Sequence, residues 1–174
     1  MKTKTLLVLK SAVFLVGITT LGCTSGEQEK PFSQGLFSVE GTYRLVSGEF
    51  FDDETTILPQ DLMGLMTFTK THRSSNFMAI DDKGRVSSVS SIATYKLTPT
   101  EYTETCISYV AHDGIRNQIT GYDFTHEIGT SPVKTENECL KFTFPLHDGP
   151  SAVFEGDKVI MEGPDFVFNW ERVP

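Results

Sequence analysis

The chain has 174 residues with 15 basic and 23 acidic side chains, which give a formal net charge of −8 at pH 7. This length fits a single domain with a sizeable core. Because nucleic-acid binding requires clustered lysine and arginine, and no basic run follows the N-terminal segment, nucleic acid is excluded as an expected partner.

The first 22 residues have the pattern of a bacterial lipoprotein signal peptide. Three lysines precede an apolar run over residues 12–18, and the small residue Gly22 precedes Cys23. We therefore expect cleavage before Cys23 and lipid attachment to it, with a plain secretory signal as the alternative. The segment between Lys10 and Gly22 is much shorter than the roughly 20 apolar residues that a membrane-spanning helix needs.

Lipidation of Cys23 predicts an extracytoplasmic protein that its acyl chains hold in the bacterial envelope. Thr24, rather than an aspartate at that position, favours the outer membrane over the inner membrane. Residues 23–35 are rich in Ser, Gly, Glu and Gln and predict a flexible tether. Residues 36–174 show no second linker and predict one folded domain.

Apolar residues in this domain follow a period of two, which indicates β-strands with one buried face. The alternation is clearest over residues 140–146 and 166–170. Turn-forming residues at 81–84 and 155–158 each separate two strand-like runs and predict hairpins. The other predicted strands are residues 42–51, 65–71, 75–80, 85–97, 101–112, 118–125, 151–154 and 158–162.

Successive strands without intervening helical patterns predict an all-β, antiparallel up-and-down meander that closes into a β-barrel. Residues 115–138 are long for a hairpin connection and are expected to form a loop-rich lid.

Short motifs at the beginning, middle and end of the domain carry a family resemblance. They are GTYRLVS at residues 41–47, YKL at 95–97, EYTET at 101–105 and FNWERV at 168–173. Together they resemble the bacterial lipocalin-like domain proteins, over about Val39 to Pro174. The resemblance implies a lipocalin-like barrel of about eight to ten strands whose interior holds a small apolar molecule.

Eight apolar residues are candidates for lining such a pocket or for filling an ordinary core, and the sequence leaves both interpretations open. They are Tyr43, Leu45, Phe68, Phe142, Phe144, Phe166, Phe168 and Trp170.

Arg44 and Arg172 are candidates for covering one end of the barrel. If the first and last strands pair, either arginine can pack on the Trp170 ring in a cation–π contact. The alternative is an arginine that points inward and pairs with a ligand carboxylate.

Two cysteines, Cys106 and Cys139, remain once Cys23 is assigned to lipidation. They are candidates for a disulfide in an oxidising compartment, or for two separate thiols.

Catalytic and metal-binding motifs are absent from the sequence. The four histidines are far apart along the chain, and His126 and Glu127 would point to opposite faces of a strand. We therefore predict no metal site, no cofactor and no enzymatic activity.

The expected function is capture of a small hydrophobic ligand, such as a fatty acid or lipid, by an envelope-anchored barrel. The alternative is a filled barrel that serves as a non-catalytic structural or interaction module for another envelope protein. Both expectations rest on analogy at the level of fold.

Overall fold

A computed structural model describes residues 38–50, 61–114 and 119–174. The predicted signal peptide and tether lie outside the described residues, and so does Cys23. Among the described residues, no helix is long and apolar enough to cross a membrane.

The described residues form twelve β-strands joined by turns. They are β1 (Gly41–Phe50), β2 (Leu62–Phe68), β3 (His72–Ile80), β4 (Val86–Leu97), β5 (Glu101–Asp113), β6 (Ile119–Asp123), β7 (Ile128–Pro132), β8 (Lys134–Glu136), β9 (Cys139–Thr143), β10 (Ser151–Glu155), β11 (Lys158–Glu162) and β12 (Phe166–Arg172).

The strands form one antiparallel sheet in the order β6-β5-β4-β3-β2-β1-β12-β11-β10-β9-β8, with β7 also paired to β5. The predicted all-β antiparallel meander is therefore confirmed. The predicted pairing of the first and last strands is also confirmed, because Leu45 of β1 lies opposite Trp170 of β12. A bulge between Leu45 and Ser47 shifts the register of this pair.

The sheet curls into a half-barrel with a seam, which we define as the gap between the β6–β7 edge and the β8–β9 edge. Within the described ranges, no backbone ladder joins these two edges. The Ser131 hydroxyl of β7 donates a hydrogen bond across the seam to the Thr143 carbonyl of β9, at 2.5 Å. Pro132 and Pro145, which flank this contact, have no N–H to extend it into a ladder.

The structure has more strands than the eight to ten expected, because part of the predicted loop at residues 115–138 is β-structure. Ile128–Pro132 pairs with β5, and Lys134–Glu136 pairs with β9. Both strands are short and mostly exposed, so they carry no alternating apolar pattern. The prediction of a long loop was wrong for these two segments, while residues 115–118 lie outside the described residues.

Several predicted strand boundaries also differ from the structure, among them the start of β2 at Leu62 and the start of β3 at His72. The ends of two strands differ for a clear local reason. β2 ends at Phe68 rather than at residue 71, because the Thr69 N–H donates to the His72 carbonyl and closes a turn. β9 ends at Thr143 rather than at residue 146, because the Phe144 N–H donates to the Pro150 carbonyl of the next connection.

Aromatic rings fill one end of the half-barrel. The Tyr102 ring stacks on Phe142 with 4.3 Å between centroids, and Phe142 stacks on Phe154 at 5.5 Å. Phe68 and Tyr43 contact this group edge-on. Of the eight candidate core or pocket residues, all are buried except Phe166, which is partly buried and packs against the others.

Substitution of Phe142 by Ala is expected to lower the free energy of unfolding by about 3–5 kcal/mol, because it leaves a void between stacked rings. The matched control is Phe124→Ala, which removes the same atoms from an exposed ring and should change stability by less than about 0.5 kcal/mol. Urea denaturation followed by Trp170 fluorescence measures both. Equal losses in the two variants would contradict the assignment of this core.

Candidate functional site

A cavity of about 1000 Å³ opens inside the half-barrel next to the aromatic core. Small-molecule sites typically enclose about 300–1000 Å³, so this space is large enough for a ligand. The apolar part of its lining, which we call the apolar wall, includes Phe50, Met66, Phe77, Met161, Phe166, Phe168 and Trp170. The polar part includes Arg73, Ser75, Ser87, Ser88, Ser91 and Asp113.

The apolar wall is built by strand alternation, which places Phe77 of β3 and Phe168 of β12 on the inner face. Phe168 stacks on Phe166 at 4.5 Å and contacts Phe77 at 5.2 Å and Phe50 at 5.4 Å between centroids. Aromatic pairs in such geometries are favourable beyond the area that they bury. The wall is therefore preformed.

A buried ion pair lies between the cavity and the aromatic core. Arg73 Nε donates to Glu104 Oε2 at 2.6 Å, and Arg73 Nη1 donates to Ser91 Oγ at 3.0 Å. The Tyr102 hydroxyl donates to the same Glu104 oxygen at 2.9 Å. The guanidinium carbon lies 4.8 Å from the centre of the Phe144 ring. Glu104, Ser91 and Phe144 thus hold the Arg73 side chain in place, and Arg73 also lines the cavity.

Electrostatics favour the charged form of Arg73 despite its burial. Burial opposes the charge on Arg73, but the hydrogen bond and negative charge of Glu104 outweigh it, so the pKa of Arg73 is raised. Burial raises the pKa of Tyr102, which keeps its hydroxyl protonated as a donor to Glu104. Oε1 of Glu104 has no hydrogen-bond partner among the described residues.

Neither Arg73 nor Glu104 was predicted from the sequence to be a site residue. The position of Glu104 could have been predicted from strand alternation. Glu104 alternates with Tyr102 and Cys106 along β5, so the three side chains must share the inner face. The corresponding face of β3 places Arg73 beside it. Neither charge stands out in the sequence, since each is flanked by polar residues typical of solvated strands.

Trp170 supplies a second unsatisfied polar group. Its side chain is buried and lines the cavity, and its Nε1 has no hydrogen-bond partner in the part of the chain that the structure describes. Buried indole N–H groups usually have an acceptor.

The Arg172 side chain packs on an aromatic ring at the end of the half-barrel, as predicted, but the ring is that of Tyr43 rather than Trp170. Its guanidinium carbon lies 4.9 Å from the centre of the Tyr43 ring, and Nη2 donates to the Tyr43 hydroxyl at 2.7 Å. Nε forms an ion pair with Asp157 at 2.9 Å. The predicted contact with Trp170 is wrong because Tyr43, not Trp170, is the cross-strand partner of Arg172.

Arg44 does not contribute to the inner face. It lies opposite Glu171 on the β1–β12 pair and is exposed, because its neighbours Tyr43 and Leu45 occupy the buried positions. Two other arginines of the described residues, Arg73 and Arg85, line the cavity.

Cys106 and Cys139 are free thiols. Cys106 is buried on the inner face of β5, and Cys139 is partly exposed at the start of β9. In β9 the inner positions are Leu140 and Phe142, so Cys139 lies on the outer face. The candidate disulfide is not formed because the two thiols lie on opposite faces of the sheet.

No protein-family model, curated protein or solved structure significantly matches this chain. The geometry of the cavity is therefore the basis for a functional proposal.

Removal of one partner of the buried ion pair should be far more damaging than removal of both. Glu104→Ala leaves the Arg73 charge buried without its partner and is expected to lower the free energy of unfolding by about 3–5 kcal/mol. In the double variant with Arg73→Leu and Glu104→Leu, the free energy of unfolding should fall by clearly less than in Glu104→Ala. Urea denaturation of both proteins checks this, and a double variant that is less stable than Glu104→Ala would refute it.

Proposed function

We propose that this chain is a lipid-anchored, lipocalin-like binding protein of the bacterial envelope. Its cargo is a small elongated lipid with an apolar body and a hydrogen-bonding end, a class that includes fatty acids, their esters and fatty alcohols. The observation that supports this most is the cavity of about 1000 Å³, whose lining combines aromatic rings with several serine hydroxyls.

The apolar body of the cargo would lie against Phe77, Phe166 and Phe168. Burial of apolar area contributes about 25 cal/mol per Å², so a long alkyl chain gains several kcal/mol from such a wall. Met66 and Met161 are unbranched and adapt to the shape of a chain.

The polar end of the cargo would lie near Ser91 and Arg73. Because Glu104 already neutralises the Arg73 charge, the pair offers hydrogen bonds rather than net positive charge. Turn residues that border the cavity are more often acidic than basic, since they include Asp81, Asp82, Asp148 and Asp165 against Lys83 and Arg85. A neutral polar group, such as an ester or a hydroxyl, therefore suits the site better than a carboxylate.

Three probes of equal chain length test this proposal: palmitate, methyl palmitate and hexadecanol. Each is titrated into the full chain carrying Cys23→Ser, so that no covalent acyl chain competes, and binding is measured by isothermal titration calorimetry. We expect saturable binding with a stoichiometry of one and tighter binding of the two neutral probes. Tighter binding of palmitate would contradict the account of the polar end.

A variant with a filled cavity tests whether the probes bind inside the cavity. Ser75 lies on the inner face of β3 and lines the cavity, whereas its neighbour Ser74 lies on the outer face. Ser75→Trp is expected to lower affinity at least tenfold by filling the cavity, and Ser74→Trp should leave it unchanged. Failure of all three probes to bind the unblocked protein would overturn the carrier proposal.

A second function is favoured by the outer surface near β6. Tyr122, Phe124 and Ile128 are 73%, 56% and 67% exposed, and the first two rings lie 6.1 Å apart. Clustered exposed apolar side chains are typical of protein–protein contacts. If no ligand enters the cavity, we propose instead that the chain is a non-catalytic interaction module of the envelope.

A further inference from the structure

Three side chains with metal-ligating atoms meet at the seam. Cys106 lies on β5, Asp123 ends β6, and His147 lies in the connection between β9 and β10. One ligand atom from each lies within 4.8 Å of the other two. His147 Nε2 is 3.6 Å from Asp123 Oδ2. The sequence predicted no metal site because these residues are far apart along the chain.

The local structure holds two of these groups in position. The His147 ring stacks on Tyr109, with 4.0 Å between centroids and 15° between planes. The Thr125 N–H donates to Asp123 Oδ1 at 2.7 Å, which leaves Oδ2 facing His147. His147 and Asp148 both have positive φ, of 56° and 50°, which is uncommon outside glycine and costs energy. These two residues are the centre of a tight turn, in which the Gly149 N–H donates to the Leu146 carbonyl at 3.0 Å.

The cluster contains an unsatisfied atom. Nε2 of His147 is buried and has no hydrogen-bond partner among the described residues. The Cys106 thiol has only a weak contact, at 3.9 Å, with the Asp123 carbonyl. Buried nitrogen atoms without a partner are rare in native proteins, and an ion is one common reason for them.

We propose that Cys106, Asp123 and His147 bind one borderline-soft divalent cation of the Zn²⁺ class. Thiolate, imidazole and carboxylate are the three ligand types that Zn²⁺ prefers, and a solvent molecule completes the tetrahedron. As the metal–sulfur bond forms, the Cys106 proton passes to water. The thiolate and the carboxylate then balance the two positive charges, so a partly buried site carries no net charge.

The spacing fits this coordination. Bond lengths of about 2.0–2.3 Å in a tetrahedron place ligand atoms about 3.3–3.8 Å apart. The separation of 3.6 Å between His147 Nε2 and Asp123 Oδ2 already matches this. The other separations are all within 4.8 Å and require a contraction of at most about 1.5 Å. Rotation of the Cys106 side chain can supply this movement.

Binding would close the seam. Cys106 and Asp123 belong to the β5–β6 side, whereas His147 belongs to the β9–β10 side, and no backbone ladder joins the two sides in the described residues. His147 and its stacking partner Tyr109 also line the large cavity. The ion would therefore hold one wall of the cavity in place and also link the two sides of the seam.

Titration of the reduced full chain with Co²⁺ tests this proposal, with Cys23→Ser in every protein so that residue 23 supplies no thiolate. We expect one Co²⁺ per chain, a thiolate-to-cobalt charge-transfer band in the near ultraviolet, and d–d bands of tetrahedral intensity. Zn²⁺ should abolish these bands and raise the melting temperature.

Matched variants assign the ligands. Cys106→Ser should abolish the charge-transfer band and weaken binding by roughly 100-fold or more, since loss of even outer-shell partners costs 10–100-fold. Asp123→Asn should keep the band while weakening binding, which provides a second test if Cys106→Ser does not fold. The controls Cys139→Ser and His72→Gln should bind like the parent protein.

Three outcomes would overturn the proposal. They are no binding of Co²⁺ or Zn²⁺ to the folded protein, binding without a thiolate band, and loss of the band in Cys139→Ser but not in Cys106→Ser. Because none of these readouts involves an apolar ligand, they do not depend on the proposed carrier function.

Discussion

The antiparallel pairing of β1 with β12 is the contact on which the rest of the structure depends. These strands are the two ends of the described domain, yet they meet in the middle of the sheet, with Leu45 opposite Trp170. The pairing joins the run from β1 to β6 to the run from β8 to β12. Closure between distant segments costs chain entropy, which burial of Trp170, Phe168 and their aromatic neighbours must offset.

Because the first and last strands pair in the middle of the sheet, the edges of the sheet are formed by strands from the middle of the chain. These edges face each other across the seam. One end of the interior is filled by the rings around Tyr102 and Phe142, and the other end holds the cavity. The Arg73–Glu104 pair lies between these two regions. Such a pair costs desolvation energy that apolar residues would avoid, so its retention is consistent with a role in the cavity.

Much of the fold could be predicted from the sequence, because period-two alternation in segments such as β9 and β12 directly reflects one buried face. β7 and β8 could not be predicted, since an exposed edge strand needs no apolar alternation. The cavity residues Phe166 and Phe168 were identified, but a ring in a wall and a ring in a core have the same pattern. Glu104 and His147 acquire their roles from partners on distant strands, which no local pattern reveals.

Native mass spectrometry of the full chain, purified from a bacterial envelope as the Cys23→Ser variant, tests the carrier proposal most directly. We expect a stoichiometric adduct of lipid mass that is lost on denaturation and is absent from Ser75→Trp. A protein that carries no adduct, and gains none after incubation with hexadecanol or methyl palmitate, would contradict it. The cavity would then be a packing defect of an interaction module rather than a binding site.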